Sequence, residues 1–120
     1  MIASLPLPVI LGLIVTPVFI AIGQVLFKLA SRTTGNLDLG GLTALILNPW
    51  LLIALVIYGS GTIVWVYVLK SVPLNYAYPF MALTFCLVPL FAWLFLGEAV
   101  TWQLAIGTAL VLAGLAVITR

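Results

Sequence analysis

Charge is what this chain has least of. Only 5% of its 120 residues are Asp, Glu, Lys or Arg, where a soluble domain carries roughly 25%. There is no histidine and a single cysteine, Cys86. That excludes the imidazole of a Ser–His hydrolase, a His/Cys zinc site and an intrachain disulfide. The charges are Lys28, Arg32, Asp38, Lys70, Glu98 and Arg120, and their net of +2 is too small and scattered for a nucleic-acid surface. No enzyme, metal or cofactor is implied, and Cys86 is expected to be buried and inert.

What the chain has instead is apolar residues, 66% of the total, in long runs between the charges. A bilayer span needs about 20 apolar residues, because backbone polar groups in lipid must be satisfied within each helix. The expectation is an all-α integral membrane protein with four transmembrane helices in one domain over residues 1–120. The spans are expected at about Leu7–Ala30, Pro49–Leu69, Tyr78–Leu96 and Trp102–Thr119. Met1–Pro6 carries no Lys or Arg, and no small-residue cleavage site follows, so the first run is read as a retained span and not a removable signal.

The longest connection, Ser31–Asn48, opens with Thr34-Gly35-Asn36 turn chemistry and continues with Leu37, Leu39, Leu42, Leu45 and Leu47. That pattern suits a segment lying along the membrane interface. Lys70–Ala77 and Gly97–Thr101 are short, so the helices they join should be antiparallel neighbours, with both termini on one side. Trp50, Trp93 and Trp102 then fall on the first-loop side and Tyr67, Tyr76 and Tyr78 on the other, as an interfacial belt does. Lys28 and Arg32 oppose Lys70 and Arg120, so the positive-inside rule gives no orientation. The balance fits both insertion in two orientations and an orientation fixed by a partner.

Small residues let helices approach closely in lipid, and the last span supplies them in Ala105, Ala109, Ala113 and Ala116, beside Gly107 and Gly114. Ala105, Gly107, Ala109 and Gly114 are candidate dimer contacts, with packing inside the bundle as the alternative. Tyr58, Thr62 and Trp65 share one face of the second span. The Tyr58 hydroxyl there needs either a backbone carbonyl or a ligand. Gln24 and Lys28 share a face of the first span at i, i+4. Lys28 can be a snorkelling cation or a ligand, whereas Gln24 lies deeper and should face a cavity or the bundle interior. Pro17, Pro79 and Pro89 each free a backbone carbonyl and are candidate bending points. Glu98 is read as a cap of the last helix or a proton-handling carboxylate.

The stretch Val72-Pro73-Leu74-Asn75-Tyr76-Ala77-Tyr78-Pro79, followed by Leu96-Gly97-Glu98 and by Gln103, Gly107 and Gly114, resembles the second half of the drug/metabolite transporter superfamily. With four spans it is similar to the small multidrug resistance type. Gly23-Gln24, Lys28 and Ala77-Tyr78-Pro79 resemble the small subunits of the aminoarabinose-phosphoundecaprenol flippase. The likeness covers nearly the whole chain, strongly over Val72–Val117 and weakly before Tyr58. Two departures separate the branches: Ile20 stands where proton-coupled drug exporters place a first-helix glutamate, and Met81 stands at a tryptophan position. Tyr58 matches a pocket tyrosine of that branch.

Without a carboxylate inside a span, neither proton exchange nor a counter-ion for a hydrophobic cation has a carrier. An anionic amphiphile suits the four cations better, since a lipid phosphate needs positive charge at headgroup depth and an apolar track for its tail. The resemblance implies a lipid-linked, polyprenyl-phosphate sugar as substrate, a bacterial inner membrane, and a homodimer or a heterodimer with a similar small subunit among membrane lipids. Gln24, Lys28, Tyr58, Trp65, Lys70 and Tyr78 are the candidate substrate-binding residues, with rocking of the bundle as the mechanism. A proton-coupled small multidrug or metabolite exporter and a non-transporting structural subunit are the alternatives. Because Ile20 replaces the coupling carboxylate, proteoliposomes under a proton gradient should show no coupled current with guanidinium or ethidium-like cations. A robust current would return the chain to the exporter branch.

Overall fold

The computed structural model describes residues 4–36 and 38–119; Leu37 and Arg120, both singled out above, lie outside them. The described chain is helical: α1 Leu7–Thr33, α2 Leu39–Ile46, α3 Pro49–Leu69, α4 Leu74–Ala77, a 3-10 segment Tyr78–Leu83, α5 Thr84–Leu96 and α6 Trp102–Ile118. Three helical runs, Leu7–Thr33, Pro49–Leu69 and Leu74–Leu96, are long and apolar enough to cross a membrane, and α6 is a shorter apolar helix of 17 residues. This is an all-helical integral membrane protein. At 1.5 Å per residue α1 is about 40 Å long, well beyond a hydrocarbon core of about 30 Å.

The helices start and stop for local chemical reasons. Proline occupies the first turn of α1 and of α3, where a missing N–H is not needed. Asn48 caps α3 by accepting from the Trp50 N–H at 2.9 Å, and its amide donates to the Thr33 hydroxyl at 2.6 Å. One side chain therefore ties the end of α1 to the start of α3. Within the connection read as interfacial, α2 forms with Asp38 as its cap, the carboxylate accepting from Gly41 N–H at 2.8 Å. None of its residues is buried, and Leu39, Leu42 and Ile46 face outward.

Two expectations require correction. The third helical run begins at Leu74 and not at Tyr78, because Pro73 starts a new helical turn directly. Pro79 cannot donate to Asn75, and the run passes through a 3-10 stretch before becoming α-helical at Thr84. Glu98 does not cap the last helix, since Thr101 does so, its hydroxyl accepting from Leu104 N–H at 3.2 Å. Glu98 instead follows Gly97, which takes the left-handed conformation at φ 69°, and the Glu98 N–H closes α5 on the Ala92 carbonyl at 3.2 Å.

The tightest packing joins α1 to α3. On α1, Val9, Thr16, Gly23 and Ala30 recur every seven residues and are all buried. On α3, Ala54, Gly61 and Val68 recur at the same interval and are its buried residues. A seven-residue repeat keeps one stripe against a partner in left-handed packing. Gly12 admits the Val68 side chain, a Cβ on Gly23 would stand 2.8 Å from the Tyr58 ring, and one on Gly61 would stand 3.3 Å from Phe19 Cβ. The only polar group in the stripe, the Thr16 hydroxyl, donates to the Gly12 carbonyl at 2.8 Å. Below this seam, Val9, Leu13, Val68, Val72, Ala77 and Phe80 form the apolar core, at the end of the molecule where α1 starts and α3 stops. Leu115 brings α6 to its edge.

Gly12→Leu should therefore cost about 1–3 kcal/mol of stability through overpacking, whereas Gly59→Leu, which meets open space, should stay within about 0.5 kcal/mol. Reversible unfolding in detergent measures both. Equal costs would place the close approach elsewhere.

Candidate functional site

Between the α1–α3 pair and the α5–α6 pair lies a groove of about 720 Å³. Ile20 and Gln24 of α1 and Tyr58 of α3 form one wall. Phe85, Val88 and Pro89 of α5 form a second, and Gln103, Gly107, Thr108 and Val111 of α6 a third. None of its lining residues is charged. The apolar core closes the end near the termini, and the groove extends from mid-helix toward the first loop.

Proline chemistry shapes this cavity. Pro89 lacks the N–H that would bond to Phe85, so the Phe85 carbonyl is left without its helical donor. Thr108 of α6 donates to that carbonyl at 3.4 Å, the kind of inter-helix repair that lets proline persist in membrane helices. α6 otherwise stands apart. It has no buried residue, and a Cβ on Gly107 or Gly114 would meet nothing.

The candidate residues fall into three groups. Gln24 and Tyr58 come together in the groove. The Tyr58 ring packs on Gly23 and on Phe27, with ring centroids 5.7 Å apart, and its hydroxyl has no hydrogen-bond partner among the described residues. Lys28 lies one turn beyond Gln24, in an adjoining recess of about 350 Å³ that Gln24 also lines and that Glu98 enters from the α5–α6 loop. Arg32, on the same end, donates to the Leu96 carbonyl at 3.3 Å and so fastens α1 to the end of α5. Trp65, Lys70 and Tyr78 are not part of this site. Trp65 packs on the core, Lys70 ends α3 at the far side, and Tyr78 is 65% exposed. Pro17 is buried in α1, and Ala105, Gly107, Ala109 and Gly114 are exposed on α6, Gly107 within the groove.

Sequence reasoning missed Thr84, Phe85, Val88 and Thr108 as groove residues. A signal for two of them existed: a mid-helix proline at 89 orphans residue 85, and a threonine on the next helix is a ready donor.

The EamA-like transporter family matches residues 10–120. The chain belongs to that family. It is 34% identical over 108 residues, 90% of this chain and 94% of the relative, to a probable 4-amino-4-deoxy-L-arabinose-phosphoundecaprenol flippase subunit ArnE of Pseudomonas aeruginosa. A protein of the same name from Pseudomonas fluorescens is 39% identical over 71 residues, 59% of this chain and 62% of the relative. Another from Yersinia pestis is 41% identical over 66 residues, 55% of this chain and 58% of the relative. These last two matches span less than two thirds of the relatives' length. No solved structure matches significantly. The resemblance read from the motifs thus stands, and the EamA-like chain is a small multi-pass membrane transporter and not an enzyme.

Because the Tyr58 hydroxyl has no bond among the described residues to lose, Tyr58→Phe should leave the unfolding midpoint in detergent unchanged. Tyr58→Ala, which removes the ring from Gly23 and Phe27, should cost about 2 kcal/mol. Comparable costs for the two would show that the hydroxyl is bonded inside the protein.

Proposed function

We propose that this EamA-like protein is a subunit of a flippase that moves a polyprenyl-phosphate-linked sugar between the leaflets of a bacterial inner membrane. The observation that carries the reading is the composition of the groove: an uncharged, apolar-walled cavity that adjoins a recess holding Lys28. A lipid tail fits such walls, and the amides of Gln24 and Gln103 with the Tyr58 hydroxyl offer hydrogen bonds to sugar hydroxyls. Lys28 sits where a phosphate would meet a cation, and a charge-assisted contact there is among the stronger ones available. Ile20, at the position of the drug exporters' carboxylate, lines the groove as an apolar wall, which leaves a cationic drug no counter-ion in it. The names of the relatives point to the same class of substrate.

In this reading the chain is one domain of four spans in a small multidrug resistance-like bundle, α6 being the fourth. A 17-residue helix is about 26 Å long, enough to span with slight local thinning of the bilayer. α6, which has no buried residue, then receives a second subunit, identical or similar, Ala105 and Ala109 lying on one side of the helix and Gly107 and Gly114 on the other, with Gly107 also lining the groove. Lys70 and Tyr78 serve the headgroup at the opposite leaflet, and Pro79 and Pro89 supply the bends for rocking of the α5–α6 pair against α1–α3.

Proteoliposomes carrying a fluorescent polyprenyl-phosphate sugar test the function, with the chain alone and with a similar small subunit added. The expected result is loss of leaflet-restricted label faster than in protein-free vesicles, slowed by Lys28→Ala. Label that stays restricted in both preparations would sink the flippase reading. Replacing Gly107 and Gly114 together by Leu should abolish cross-linking between subunits while leaving helicity intact.

A further inference from the structure

We propose that the seam between α5 and α6 is a side entrance through which the apolar tail of the transported amphiphile passes from the bilayer into the groove, with Thr108 as its latch. This rests on the amphiphile reading of the groove and adds the route, which that reading leaves open. A second cavity, of about 470 Å³, lies against the same two helices. Leu90 and Trp93 line it and not the groove, as Phe85 and Val88 line the groove and not this cavity. Both are about half exposed, on a run long and apolar enough to cross the membrane. Pro89, Leu104 and Thr108 line the two spaces together. The wall between lipid side and groove is therefore no thicker than those side chains, and no residue lining the outer cavity is charged.

The latch follows from where the Thr108 hydroxyl goes. Thr16, Thr43 and Thr62 each donate to the carbonyl four residues back in their own helix, at 2.8, 2.9 and 2.9 Å. Thr108 instead crosses to the Phe85 carbonyl at 3.4 Å, the only side-chain hydrogen bond between α5 and α6 among the described residues. That carbonyl is free because Pro89 has no N–H to give it. Rotation about χ1 returns the hydroxyl to the Leu104 carbonyl of its own helix, so Thr108 has two acceptors of the same kind and the seam a closed and an open state. Opening breaks one long hydrogen bond, and α6 has no buried residue to unpack. A second subunit seated on the Gly107 side of α6 stands over the groove, which leaves the other side of the seam facing lipid.

The test is the rate at which the protein in nanodiscs takes up and releases a short-chain polyprenyl phosphate carrying a fluorophore at its tail end, followed in stopped flow by energy transfer from tryptophan. A gate changes both rates together and leaves affinity alone, whereas a residue that only shapes the groove changes affinity. Thr108→Val should speed uptake and release alike by about threefold, the worth of one net hydrogen bond, with Kd unchanged. Thr108→Ser, which keeps the hydroxyl, should keep the wild-type rates. In Ala105→Cys, a reducible bismaleimide bridging position 105 of α6 to Cys86 of α5 across the outer cavity should nearly stop both steps, and reduction should restore them. Unchanged rates in Thr108→Val or in the bridged protein, or an affinity change that Thr108→Ser shares, would overturn the entrance with the amphiphile reading intact. A wild type that takes up no polyprenyl phosphate would overturn both.

Discussion

Between lipid-embedded helices the hydrophobic effect offers little attraction, because acyl chains are as apolar as leucine. Helix pairs must then be held by closeness of fit, and in this chain the α1–α3 seam provides it. Gly12, Gly23 and Gly61 remove the side chains that would separate the backbones, and Val68, Tyr58 and Phe19 fill the spaces left. Dispersion contacts, each small, add up over the length of such a seam. Thr16 contributes a hydroxyl without a polar penalty because it returns its proton to its own helix. The Asn48 link to Thr33 fixes the register at the other end.

A rigid pair on one side makes a loose pair on the other informative. α5 carries Pro89 and is preceded by the Pro79 3-10 segment, and its bond to α6 through Thr108 is long at 3.4 Å. α6 touches the core through Leu115 at one end and diverges elsewhere. The groove is the space this asymmetry leaves. Its polar atoms belong to neutral side chains, which cost far less at mid-membrane depth than charges do, while Lys28 and Glu98 stand one or more turns nearer the end of the bundle. The groove and the adjoining recess thus run from neutral to charged side chains along the bundle.

Helix existence was legible in the sequence because apolar length between charges is a strong signal, and α3 appears at the expected bounds, Pro49–Leu69. The third run is expected four residues late because Lys70–Ala77 reads as a connection, whereas Pro73 starts a helix within it and Pro79 tightens that helix. Small residues were noticed on α6, where composition makes them conspicuous. The α1 side of the seam is hard to read in the sequence because its members, Val9, Thr16, Gly23 and Ala30, differ in type and share only a spacing of seven. Gln24 with Tyr58 was half of the site. Gln24 stood out as a deep polar side chain, but nothing in the spacing joined α1 to residues 84–111, because that proximity exists only after α1 has packed on α3 and α5 has folded back.

The placement of Arg32 and Glu98 shows how one end of the bundle closes α5 without using the Glu98 carboxylate. Both lie beside the C-terminus of α5, where four carbonyls lack helical donors. Arg32 takes one of these, the Leu96 carbonyl, and the Gly97 and Glu98 backbone N–H groups both turn back to Ala92. The guanidinium is therefore consumed in holding α1 against α5, and the acid reaches the recess only because its backbone, not its side chain, does the capping. Had Glu98 capped α6 with its carboxylate, as its position after Gly97 suggested, Thr101 would be redundant and the recess would be purely cationic. Thr101 takes the cap with a neutral hydroxyl, and the Glu98 side chain lines the recess that Lys28 also lines.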